Sequence, residues 1–132
     1  MIRRLAYVSR PRPDLPPAEI SRIVVKSRIN NQRDGLSGVL VYTGTDFAQL
    51  IEGPADRVEA LWDRIQRDDR HQDVALLFDE TEETPWYPDW RMGYLANHAL
   101  TKHIAKWRNL DGAMDKRGRS RLRQLLAAAD SL

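Results

Sequence analysis

Gln49 lies in the run Phe47-Ala48-Gln49-Leu50-Ile51-Glu52-Gly53. Strand alternation sets its carboxamide on one face with Phe47 and Ile51. An amide on an apolar face costs about 1–3 kcal/mol when its donor and acceptor lack partners. Gln49 is therefore either exposed at a sheet edge or placed to donate and accept across a buried site. Tyr7 shares a strand face with Leu5 and Ser9. It is either a core tyrosine with a satisfied hydroxyl or one member of a polar pair. Asn30-Asn31 ends a helix, as a cap or as a ligand contact. Asp68-Asp69-Arg70-His71 follows a second helix. That cluster is either a solvated exit or a guanidinium and imidazole for the edge of a planar polar ligand. Trp90 and Met92 flank Arg91 on one face of a short strand, as core or as the wall of a site.

Other chemistries are excluded by composition. The chain has 132 residues and no cysteine, so disulfides, thiolate nucleophiles, Cys-ligated zinc, iron–sulfur clusters and cysteine photoadducts are out. The three histidines, His71, His98 and His103, form no H-x-x-x-H pair, and no metal site is expected. The longest apolar runs, Val39–Tyr42 and Val74–Phe78, fall far short of the ~20 residues that span a bilayer. The Arg3-Arg4 start is too short for a signal peptide. A cytoplasmic protein without membrane contact is the expectation.

The elements that must position these residues alternate clearly. Ile2–Ser9 reads as a strand. Pro11, Pro13, Pro16 and Pro17 break the chain, and Pro17 suits a first helical turn. Ala18 to about Asn31 reads as a helix with Ile20, Ile23 and Val24 on one face. Leu36–Thr43 and Phe47–Gly53 form a hairpin through Gly44-Thr45-Asp46. A second helix opens at Pro54-Ala55-Asp56, with Asp56 and Glu59 as a capping-box-like pair. Its buried face is Val58, Leu61, Trp62 and Ile65. Val74–Phe78 is a fourth strand, Asp79–Asp89 an acidic loop, and Trp90–Leu95 a short fifth strand. Leu100, Ile104 and Trp107 mark one tail helix. Leu122, Leu125, Leu126 and Ala129 mark another.

The order predicts an α+β, ferredoxin-like βαββαβ sheet with one added strand. Its two connecting helices lie on one face. Leu36–Thr43 is apolar on both faces, so a C-terminal two-helix extension is expected to cover the other. Residues 1–95 are read as the binding domain and 96–132 as the extension. Residues 1–95 carry 13 basic and 16 acidic side chains, a net −3, and residues 96–132 carry 8 and 3, a net +5. First and third strands are neighbours in this order, which brings Tyr7 and Gln49 within reach of one another. An apolar slot with several convergent polar groups is the usual form of a small-molecule site.

Several segments, in order, resemble the BLUF family of flavin-based blue-light sensors. They are Leu5-Ala6-Tyr7-Val8-Ser9, Ser27-Arg28-Ile29-Asn30-Asn31, Gly35-Leu36-Ser37-Gly38-Val39-Leu40, Gln49-Leu50-Ile51-Glu52-Gly53-Pro54, Asp68-Asp69-Arg70-His71 and Trp90-Arg91-Met92-Gly93. The likeness covers residues 2–94. Two departures stand out. Arg91 sits where a small Ser is common, and Pro85-Trp86-Tyr87-Pro88 sits where the family more often has an Arg and then a Phe.

The resemblance implies FAD, with FMN or riboflavin able to substitute, held between the two helices. It implies a cofactor site of Tyr7, Ser9, Ile23, Val24, Ser27, Arg28, Asn30, Asn31, Gln49, Ile65, Asp68, Arg70 and His71. Asn31 would hold the N3–H and C4 carbonyl edge, Arg70 the C2 carbonyl, and His71 would pack at the ring. The family's photoactive pair falls on Tyr7 and Gln49. Tyr7 would give the excited flavin an electron and, by way of Gln49, a proton. Gln49 would end rotated or tautomerised, and Trp90 and Met92 would carry the switch into the tail. The implied protein is a homo-oligomeric sensor, not an enzyme, acting on a separate effector protein. The alternative is a light-independent ferredoxin-like regulatory or nucleic-acid-binding module that uses the basic tail. Direct nucleic-acid binding is not the expectation, because the strands lack the exposed aromatics of an RNA-binding sheet. A small hydrolase of this fold would need a phosphate-cradling loop before the first helix, and that segment is proline-rich.

Overall fold

The first strand, β1, runs from Ile2 to Pro11 and is buried continuously from Arg4 to Ser9. A computed structural model provides the structure, which describes residues 1–129. The last three residues of the predicted 96–132 extension lie outside the described residues. Helix α1 spans Pro17–Asp34. It ends on Gly35 at φ +70°, where the backbone N–H returns to the Asn31 carbonyl. Glycine takes that left-handed cap at no steric cost. Strands β2 (Ser37–Tyr42) and β3 (Phe47–Gly53) form the hairpin. Helix α2 is Ala55–Arg67 and strand β4 is His71–Glu82. Strand β5 is Gly93–Ala96. A short 3₁₀ turn then leads to α3 (Thr101–Trp107), and α4 is Lys116–Leu126.

The five strands lie in the order β4-β1-β3-β2-β5. All neighbours are antiparallel except β2 and β5, which are parallel. This is the predicted ferredoxin-like sheet with an added edge strand. Its two faces carry separate cores. On one face α1 and α2 cover Leu5, Tyr7, Leu36, Leu40, Phe47 and Ile51. On the other, Leu100, Ile104, Trp107, Leu122 and Leu126 of the tail pack on Ala6, Val8, Val39, Val41 and Leu50. The tail therefore covers the second face, as the apolar pattern of β2 requires. No helix among the described residues is long and apolar enough to cross a membrane.

Three sequence expectations need correction. The Asp56–Glu59 capping box does not form: Pro54 is the N-cap of α2 and Asp56 lies inside the first turn without a side-chain cap bond. Asp79–Glu82 are not loop but the end of β4, paired with Ile2–Leu5. Cross-strand ion pairs explain their place in the strand, since Arg3 and Arg4 of β1 meet Asp79 and Glu80 at 2.7 and 2.6 Å. Trp90 and Met92 precede β5 rather than belonging to it. Alternation does not apply to such a bend, and the two side chains go to opposite faces. Trp90 packs with the tail helices, and Met92 packs under α1 with Ile20, Val24, Leu40 and Phe47.

Candidate functional site

Two central strands set the floor of the site. The β1–β3 register puts Tyr7 directly opposite Gln49. The Tyr7 hydroxyl donates to Gln49 Oε1. Tyr7 is buried, 4% exposed, against Trp62 and the His71 edge, with ring centroids 5.3 and 6.2 Å away. Burial pushes the phenol well above its ordinary pKa of 10, and nearby Asp68 adds to the shift. A phenol in such surroundings stays protonated and remains a hydrogen-bond donor at neutral pH.

Above this pair a cavity of about 470 Å³ opens between α1 and α2. Apolar walls come from Ile23 of α1, Leu40 and Phe47 of the hairpin, and Leu61 and Ile65 of α2. Polar groups come from Ser27, Asn30 and Asn31 on one side and Asp68, Arg70 and His71 on the other. Lys26, Arg33 and Arg64 also line it while exposed, so they stand at the mouth. A volume of this size falls within the range of small-molecule sites.

Asn31, Asp68, Arg70 and His71 are each held from behind. Asn31 Nδ2 donates to the Arg91 carbonyl, which ties the last turn of α1 to the segment before β5. Arg70 is clamped by Asp68: Nε and Nη2 reach its carboxylate at 3.0 and 2.5 Å, and the Arg70 backbone N–H donates to it at 2.9 Å. This pairing holds the Asp68 carboxyl below the usual carboxylate range and raises the Arg70 guanidinium. His71 Nε2 lies 2.6 Å from the Ile65 carbonyl and must donate to it. Its Nδ1 lies 2.9 Å from the Ser9 hydroxyl, which completes the hold on the ring.

Ten of the thirteen predicted cofactor residues line the cavity: Tyr7, Ile23, Ser27, Asn30, Asn31, Gln49, Ile65, Asp68, Arg70 and His71. Three do not. Ser9 stands behind His71, Val24 packs in the core beside Met92, and Arg28 Nε donates to the Met92 carbonyl at 2.9 Å. Sequence reasoning missed Leu40 and Phe47, although Phe47 shares a strand face with Gln49 and Leu40 is the β2 partner of Gln49. It also missed Leu61, one turn before Ile65, and the three cations at the mouth. Those cations carry no pattern that separates them from other surface charge.

The donor set fits a flavin. Among the described residues, Gln49 Nε2 and Asn31 Oδ1 have no protein partner, and both residues border the cavity. A free amide donor and a free amide acceptor between apolar walls match a flat ring with a C=O/N–H edge. The basic mouth suits a phosphate-bearing tail.

Residues 2–93 match the family described as sensors of blue light using FAD, BLUF. The chain is 32% identical over 77 residues to the blue light- and temperature-regulated antirepressor BluF of Escherichia coli (strain K12), covering 58% of this chain and 19% of that protein. Among solved structures, BlrB, described as a BLUF protein in its dark state, is 32% identical with a TM-score of 0.78, and 96% of each chain is covered. A bacterial light-regulated adenylyl cyclase is 31% identical with a TM-score of 0.76, covering 98% of this chain and 40% of that one. The chain thus spans about a fifth of the antirepressor and under half of the cyclase.

Proposed function

The chain belongs to the BLUF family of flavin-based blue-light sensors, and on that premise we propose that it is a blue-light photoreceptor whose photoactive pair is Tyr7 and Gln49. The observation that carries the reading is the Tyr7–Gln49 hydrogen bond at the floor of a cavity that presents a free amide donor. A bound flavin supplies blue-light absorption and, once excited, a one-electron oxidant. The chain supplies the rest.

Asn31 offers its Oδ1 to the ring edge while Arg91 fixes its Nδ2. Arg70, clamped by Asp68, presents a preset guanidinium. Burial keeps the proton on Tyr7 until the phenol is oxidised. That proton then has one path along its hydrogen bond, to Gln49 Oε1. An amide that accepts a proton there and releases one elsewhere, or that turns about its last torsion, exchanges donor for acceptor on the cavity side. Asn31, which would hold the ring edge, and Arg28 are bonded to the Arg91–Met92 backbone, so a change in the bonds at that edge would pass to this segment. From there the chain enters β5 and α3.

In this reading residues 1–95 sense and residues 96–132 relay. The molecule acts as a sensor rather than as an enzyme, FAD is the resident flavin, and FMN or riboflavin can substitute. The signal passes to a separate effector protein, with the sensor as a homo-oligomer in the cytoplasm. The first test is colour. Purified protein that is yellow, or that turns yellow and quenches flavin fluorescence on reconstitution with FAD, supports the reading. Colourless protein that refuses riboflavin, FMN and FAD would favour the light-independent ferredoxin-like module. For that module, steeply salt-dependent nucleic-acid binding is the positive sign.

A further inference from the structure

The β1–β3 register that pairs Tyr7 with Gln49 also pairs Arg4 with Glu52, three residues along. An odd step reverses the strand face, so this second pair lies on the side covered by the tail helices. It is a buried ion pair. Arg4 Nε donates to Glu52 Oε2 at 2.7 Å, and the two side chains are 3% and 0% exposed. Two charges out of water persist only where further hydrogen bonds complete them.

Here the completing groups come from the Thr84–Tyr87 segment and its neighbour Glu80. Glu52 accepts the backbone N–H groups of Trp86 and Tyr87 at 2.6 and 2.9 Å. Arg4 donates to Glu80 at 2.6 Å and to the Thr84 carbonyl at 2.7 Å. Its guanidinium lies 4.4 Å from the Trp86 ring centroid. The gripped segment then reaches in two directions. Tyr87 stacks on Trp90 with ring centroids 4.7 Å apart. The Tyr87 hydroxyl donates to the Arg123 carbonyl of α4 at 2.7 Å, and the Arg123 guanidinium lies 5.5 Å from the Trp86 ring.

We propose that Arg4 and Glu52 are positioning residues that couple the Tyr7–Gln49 strand pair to helix α4 through the Thr84–Trp90 loop. The proposal rests on the photoreceptor reading. It adds a second route, on the opposite sheet face from the Arg91–Met92 backbone. Glu52 holds two consecutive backbone N–H groups, so a displacement of β3 against β1 passes to the loop backbone rather than into a flexible side chain. A packed charged network of this kind has discrete arrangements and is not continuously deformable.

The test is hydrogen exchange on the flavin-loaded chain, dark and under blue light, read at residues 84–92 and 116–126. In the parent, light changes the protection of α4 amides by about fivefold or more, the lower end of a coupling between sites. Glu52→Gln leaves one acceptor oxygen for two N–H groups and leaves Arg4 only the Glu80 carboxylate. It is expected to keep the flavin and the spectral shift but lose the light response of α4. Tyr87→Phe removes only the hydroxyl bond to Arg123 and decides the matter if Glu52→Gln does not fold. Its α4 response should shrink while that of 84–92 persists. A merely structural role would lower protection equally in dark and light and leave the difference intact, and that result overturns the proposal. So does a parent that shifts its spectrum with no change in α4. A parent with flavin but no spectral shift overturns the photoreceptor reading itself.

Discussion

Tyr7 and Gln49 meet because two strands distant in sequence are neighbours in the sheet, in a register that sets them opposite. Everything ascribed to the pair depends on three polar atoms, the Tyr7 hydroxyl and the two amide atoms of Gln49. Gln49→Leu removes both amide atoms while keeping the side-chain bulk, so flavin binding should persist and the light-induced red shift should vanish. Tyr7→Phe removes only the hydroxyl; the flavin should stay bound and the normal photocycle should be lost. Absorption spectra before and after illumination check both. A pH prediction follows from the raised Tyr7 pKa. The folded state holds this proton more tightly than the unfolded chain, whose phenol titrates near 10. The stabilisation is therefore full below pH 10 and is lost as pH rises through the folded pKa. Denaturation midpoints should fall more steeply with alkaline pH in the parent than in Tyr7→Phe. At this scale the sequence was informative where alternation and strand order place a side chain, as for Tyr7 and Gln49, and where helical spacing does, as for Ile65. Arg28 was beyond it, because only the fold brings the Met92 carbonyl within reach of that guanidinium.

The least legible element is the stretch from Asp79 to Met92. Its acidic, proline-containing sequence reads as loop, yet Arg3 and Arg4 draw its first four residues into β4. The remainder is held by Glu52, a contact that no local pattern announces. Strand periodicity put Trp90 and Met92 together, whereas a bend separates them onto opposite faces. Gly93 is part of the reason: a Cβ there would stand 2.7 Å from Trp90 Cε3. Gly93→Ala should push the Trp90 ring off its seat and cost about 1–3 kcal/mol, an overpacking penalty, readable by chemical denaturation and by altered tryptophan fluorescence. Light should alter hydrogen exchange across residues 90–110, since Asn31 and Arg28 tie that segment to the cavity wall. Identical protection in dark and light would remove this route.

For the molecule as a whole, two faces of one sheet carry two tasks. One face holds the cavity, and the other holds the tail. The apolar pattern on both faces of β2 makes that division legible in the sequence. Ile104, 1% exposed, anchors the tail. Ile104→Ala should cost about 2–5 kcal/mol and loosen residues 96–129 while leaving the opposite face able to bind flavin. The basic charge of the tail is accounted for in part by structure. Arg108 meets Asp46 at 3.2 Å and Arg119 meets Glu80 at 3.3 Å, so these two cations fasten the extension to the sheet. The central claim is that light is stored as a rearranged hydrogen bond around Gln49. The light-minus-dark absorption spectrum of the flavin-loaded chain, recorded in parallel for Gln49→Leu, tests it most directly. A small red shift in the parent that reverses in the dark is expected, and none in the variant. A parent that binds flavin without shifting, or a variant that shifts like the parent, would contradict it.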